Sequence, residues 1–149
     1  MKKIGISILG ILCFSTLGFA LSLDLQQDID RLERAISYAR TAIAYCADQL
    51  DKLQPPPVNA SEEERKNFEE TLKQLERCIF QAQERLDNLK KQLAELLSRL
   101  PTIEQQPHRE DPEIRRLRER LKEAQKQLEE DQKKIDALKA KVEKLLNPR

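Results

Sequence analysis

Three kinds of side chain in this chain are chemically equipped: cysteine, histidine and carboxylate. The cysteines are Cys13, Cys46 and Cys78, and the one histidine is His108. A zinc site or an activated thiolate needs His, Cys or carboxylate partners clustered at short spacing. Cys46 and Cys78 have no histidine near them in sequence. His108 sits between Pro107 and Arg109 and reads as a solvated loop side chain. The acidic residues interleave with basic ones, as in Glu129 with Lys133 and Glu130 with Lys134, a spacing that makes ion pairs on a helix surface. Glycine is confined to Gly5, Gly10 and Gly18. A phosphate-cradling loop, a dinucleotide fingerprint and a nucleophile elbow all need glycine for close backbone approach, so none is present downstream. No catalytic, cofactor-binding or metal-binding residue is assigned. The expectation is a non-enzymatic protein with no cofactor and no small-molecule substrate.

Cysteines with nothing to catalyse read as a disulfide, and the N-terminus supplies a compartment where one persists. "MKKIGISILGILCFSTLGFALSLD" opens with Lys2 and Lys3, continues in an apolar run and reaches the small residues Gly18 and Ala20. That is the grammar of a secretory signal peptide over residues 1–20, cleaved after Ala20 or, second, after Ser22. The rival is an uncleaved anchor, since Ile4 to Leu23 is about long enough to span a bilayer at ~20 residues. Cys13 lies too early in the run, with no small residue directly before it, to be a lipid-modified cysteine. Removing residues 1–20 takes two of 27 basic residues and none of 26 acidic ones, leaving 25 against 26. A near-neutral chain has poor electrostatic footing for nucleic acid or an anionic membrane. The most basic stretch, "IRRLRERLK" at 114–122, has no interleaved aromatic for base stacking. Asn59-Ala60-Ser61 matches a glycosylation sequon, which matters only in a eukaryotic secretory pathway.

The elements that position the cysteines follow from apolar spacing. Prolines at 55–57, 101, 107, 112 and 148 leave three proline-free blocks. Block one places Leu25, Ile29, Leu32, Ile36, Ala39, Ile43, Cys46, Leu50 and Leu53 at steps alternating four and three. Block two runs from Phe68 to Leu100 and block three from Ile114 to Leu145 with the same rhythm. A mean spacing of 3.5 is a heptad repeat and implies a left-handed coiled coil. Ser61 and Glu64 form a capping box opening block two. Asp111 before Pro112 is an N-cap opening block three. The predicted fold is all-α with no β structure: an elongated antiparallel coiled-coil hairpin over 21–100, with a proline-rich bridge at 54–60, then a linker at 101–110 and a third heptad helix at 111–147.

The bridge decides whether Cys46 reaches Cys78. Two hairpin registers keep seam residues opposite seam residues. In the tighter one Cys46 faces Leu72, and Cys78 lies about 9 Å further along the axis, too far for a disulfide. In the slid one Cys46 faces Ile79, Leu53 faces Leu72, and residues 61–71 overhang. Three consecutive prolines favour an extended segment of about 3.1 Å per residue, which suits the slid register. The slid register also brings Asp28 towards Arg99 and Glu33 towards Lys90, whereas the tighter one brings Arg40 towards Glu76. The slid register is therefore expected, with an intermolecular disulfide or two buried thiols as rivals.

Two features break the plain heptad. Asp131 occupies a seam position in block three, either as a buried residue that sets register or in a frayed, solvated stretch. Lys133 and Lys134 are placed to neutralise it either way. Block one carries a second stripe, Ala35, Tyr38, Ala42 and Tyr45, beside its seam, which calls for the third helix or a partner to pack there. The third helix either folds back on the hairpin or pairs with another chain. A parallel homodimer through it is disfavoured, because Lys134 would face Lys139. The functional expectation is an exported coiled-coil interaction or scaffold protein of a bacterial cell envelope, periplasmic or secreted. It would act by helix-seam pairing with a protein partner or itself, and would meet a membrane only if the N-terminal segment is retained. The alternatives are a periplasmic holdase-type chaperone and a membrane-anchored adaptor. Such heptads resemble those of many unrelated coiled coils and carry no activity with them.

Overall fold

A computed structural model describes residues 12–100 and 111–147, with side chains from Leu23 onward. The described residues form three helices and no strand: α1 (Leu12–Lys52), α2 (Glu62–Arg99) and α3 (Pro112–Leu146). At 1.5 Å per residue they run roughly 50 to 60 Å. The expected leader (residues 1–20) lies mostly outside the described residues, and so does the linker 101–110 with His108. α1 runs from Leu12 past Ala20, and its packed part begins at Leu25.

The helix ends are built as their residues dictate. The Ser61 hydroxyl accepts from the Glu64 backbone N–H at 3.2 Å, and the Glu64 carboxylate accepts from the Ser61 N–H at 2.8 Å. The Asp111 carboxylate accepts from the Glu113 N–H at 2.9 Å, with Pro112 at the first helical position, where its missing N–H costs nothing. Leu100, just before Pro101, caps the C-terminus of α2, and Asn147, just before Pro148, caps that of α3.

All three helices touch one another. α1 and α2 are antiparallel, since Asp28 meets Arg99 and Cys46 meets Cys78. α3 runs parallel to α1, since Asp30 meets Arg120 and Asp51 meets Lys141. The third helix thus folds back on the hairpin. One core runs the length of the bundle, from Leu25, Leu100 and Leu117 at one end to Leu50, Leu72 and Val142 at the other. It is the three heptad seams closed on each other, Asp131 included.

The hairpin takes the slid register. Leu72 is the first buried residue of α2, and residues 61–71 are exposed apart from the half-buried Phe68. The bridge is not helical. It ends in a turn in which the Ala60 N–H donates to the Pro57 carbonyl at 2.9 Å, and Arg65 reaches back to the Val58 carbonyl at 2.8 Å.

Candidate functional site

Cys46 and Cys78 form a disulfide within the chain, with Cα atoms 6.1 Å apart. Cys46 is buried in the seam, and Cys78 sits half-buried on the flank of α2 that faces α1. A seam cysteine and a flank cysteine meet because α2 is slid along α1. The bond spans a sequence separation of 32 residues. Closing such a loop in the unfolded chain stabilises the fold by about 3–4 kcal/mol in the chain-entropy account.

The long charged side chains sort by groove. Between α1 and α3, Arg120 donates to both Glu33 oxygens at 2.9 and 2.6 Å and also to Asp30. The paired carboxylates, Glu33 first, hold its guanidinium even more firmly protonated than usual. Glu33 therefore pairs with α3 and not with Lys90. Further along, Arg40 Nε donates to both oxygens of Asp131 at 3.2 and 3.1 Å, while its terminal nitrogen reaches Glu130 at 3.4 Å. Asp131 is 0% exposed. Lys134 adds a 3.5 Å contact to it, and Lys141 pairs with Asp51 beyond. Of the two readings open for Asp131, the structure has the buried one, and its principal cation comes from α1.

The surroundings of Asp131 favour one register. Along the α1 flank that faces α3, the residues one heptad apart are Gln26, Glu33, Arg40 and Ala47. Sliding α3 by a heptad would set Asp131 against Glu33 or against Ala47. One choice is repulsive, and the other leaves the buried carboxylate with only Lys134 of its own helix, 3.5 Å away.

Between α2 and α3 the described hydrogen bonds centre on a pair of glutamines. Gln83 and Gln132 exchange amide hydrogen bonds at 3.0 and 2.9 Å, and Lys90 and Lys139 donate to their carbonyl oxygens. Near the end of this groove, Phe80, Ile79, Val142 and Leu146 border an apolar notch, with Phe80 62% exposed. Nothing in the sequence distinguishes Phe80, because one aromatic off the seam has no periodicity to mark it.

The groove between α1 and α2 has the disulfide and the Asp28–Arg99 pair at 2.6 Å, with little between them. Arg99 holds the Asp28 carboxyl below the ordinary carboxylate range. The stripe Ala35, Tyr38, Ala42 and Tyr45 borders this groove. Its alanines are half-buried, and Tyr38 and Tyr45 stand 77% and 61% exposed. The third helix, one of the two occupants expected there, lies on the opposite flank of α1, against Glu33 and Arg40.

Among the described residues no group of three His, Cys, Asp or Glu side chains is placed to hold a metal ion. No described helix is long and apolar enough to cross a membrane. The seams expected to engage a partner are occupied by one another. Comparison with protein-family models, with curated proteins and with solved structures finds no match, so sequence and geometry alone carry the functional reading.

Proposed function

We propose that this chain is an exported, non-enzymatic coiled-coil interaction or scaffold protein of a bacterial cell envelope. The observation that carries the reading is the Cys46–Cys78 disulfide tying two helices of a closed three-helix rod near its bridge end. A disulfide of this kind is compatible with an oxidising, extracytoplasmic compartment. The lysine-led apolar segment ending at Ala20 would deliver the chain there. Because the seams close on each other, the rod acts as a stiff body whose outer grooves meet partners. A partner that needed a seam would first have to displace α3.

A holdase is the second reading, and the apolar notch at Phe80, Val142 and Leu146 is what favours it. If the leader is retained, the same rod becomes a membrane-anchored adaptor.

The test is the intact mass of the chain recovered from the cell envelope or medium, with thiols alkylated before and after reduction. The expected species is a monomer lacking residues 1–20 that takes up alkyl groups at two cysteines only after reduction. A mass retaining the leader would make this the anchored adaptor. Free thiols in a cytoplasmic fraction would overturn export. Suppression of client aggregation, lost on Phe80→Ser, would move the assignment to the holdase.

A further inference from the structure

The α1 flank turned away from α3 carries alternating small and large side chains: Ala35, Tyr38, Ala42, Tyr45. The steps are three, four and three, the rhythm of a seam. Ala35, Tyr38, Ala39, Arg85, Asn88 and Leu89 border one shallow groove there. Arg85 is the one charged residue among these six, in a chain that is 36% charged. Scarce charge with exposed tyrosine and one arginine is the composition of an interface core.

The geometry points to a second copy of this chain as the occupant, with α1 packed antiparallel on α1 about a two-fold axis. An antiparallel seam sets the first position of the repeat on one strand against the fourth on the other, and a two-fold axis makes each contact occur twice. Applied to this stripe, Tyr38 meets Ala42 of the second copy, and Tyr45 meets Ala35. Every large side chain faces a small one. Carried outward by one heptad, the pattern sets Lys52 against Asp28 and Arg31 against Gln49, so no like charges face. Lys52, Asp28 and Arg31 already have partners within the chain, and these outer positions exclude wrong pairings more than they add affinity.

Other arrangements fit worse. A heptad slip one way sets Tyr45 against Asp28, and the other way sets Tyr38 against Gln49. Parallel pairing would stack tyrosine on tyrosine and leave a gap at each alanine. The disulfide contributes by holding α2 at the height where Arg85 and Asn88 flank Tyr38. The patch is small beside the ~800 Å² per partner of a standard interface, so the dimer is weak and reversible.

This inference concerns the folded, oxidised chain and stands whether or not export is correct. Its test is sedimentation of the purified chain lacking residues 1–20 over a wide concentration range. The expected result is a reversible monomer–dimer equilibrium. Tyr38→Ser and Tyr45→Ser should each weaken it about tenfold while leaving helical content and thermal unfolding of the monomer unchanged. Register is read by mixing Tyr45→Cys chains with Ala35→Cys chains under mild oxidation. A crosslinked heterodimer should form in the mixture, with neither chain crosslinking efficiently alone. A chain monomeric at every concentration would overturn the proposal. So would a dimer indifferent to both tyrosine substitutions, or Tyr45→Cys chains that crosslink as readily alone. A monomer whose tyrosines are covered by a different protein would assign the face to that partner and overturn self-association.

Discussion

The two flanks of α1 are built on opposite plans. Towards α3 it presents Asp30, Glu33, Arg40 and Asp51, and each is matched by charge from α3. Towards α2 it presents one ion pair, one disulfide and a stretch of alanine and tyrosine with almost no charge. α3 carries no covalent tie to α1, and its placement rests on packing and on which charges meet. α2 is held by a covalent bond, which frees its groove from that task. The lesson is that a flank whose register is held covalently can keep an uncharged surface, and a flank held by charge cannot.

The largest effect should come from removing the covalent tie. Cys46→Ser with Cys78→Ser should cost about 3–4 kcal/mol, read as a lower denaturant midpoint under oxidising conditions. It should also let α2 populate the tighter register, where Cys46 and Leu72 positions face. Spin-label distances across the hairpin would report this, and an unchanged single distance would show that packing alone sets the register.

The next effect belongs to the charged flank. Arg40→Met should destabilise by about 2–4 kcal/mol, because it leaves the Asp131 carboxylate buried beside only the more exposed Lys134. Asp131→Leu should be near neutral or stabilising while admitting more than one placement of α3. A double-mutant cycle separates the pair's coupling from the penalty of an orphaned charge. Equal losses in both single variants would contradict the register role argued for Asp131.

On the uncharged flank, Tyr38→Ser and Tyr45→Ser should move monomer stability by no more than about 0.5 kcal/mol each, because both rings are exposed. A larger loss would mean the stripe supports the fold and is no spare surface. The smallest effect is at Asp28. Its folded carboxyl titrates below its unfolded value, so its contribution is complete above the ordinary carboxylate range and fades as pH falls through the folded value. Asp28→Asn should flatten that acid limb slightly. A carboxyl resonance at the ordinary carboxylate value would show that the Arg99 pair is not held in solution.

Much of this molecule is legible in its residues. The alternating steps of four and three name almost every buried side chain, because helix geometry puts those positions on one stripe whatever they pack against. Ser61 with Glu64 and Asp111 with Pro112 begin their helices as read, because caps are local chemistry. Pro55, Pro56 and Pro57 together with the cysteines point to the slid register, since chain reach and disulfide geometry are both simple length limits. Leader and linker are expectations from composition alone, since residues 1–11 and 101–110 lie outside what the structure describes.

The tertiary structure decided what a periodic pattern leaves degenerate. A heptad says which stripe turns inward and is silent on which neighbour lies to either side. Sequence spacing offered Glu33 to Lys90 and Asp131 to its own lysines, whereas the folded bundle gives Glu33 to Arg120 and Asp131 to Arg40. Likewise it left the tyrosine stripe open to α3, and α3 took the other flank. The physical reason is that exposed charge pairs are each worth little, so no single pair selects a neighbour. That selection belongs to the sum of a whole flank, with one buried carboxylate among it, and such a sum exists only once the three helices are together.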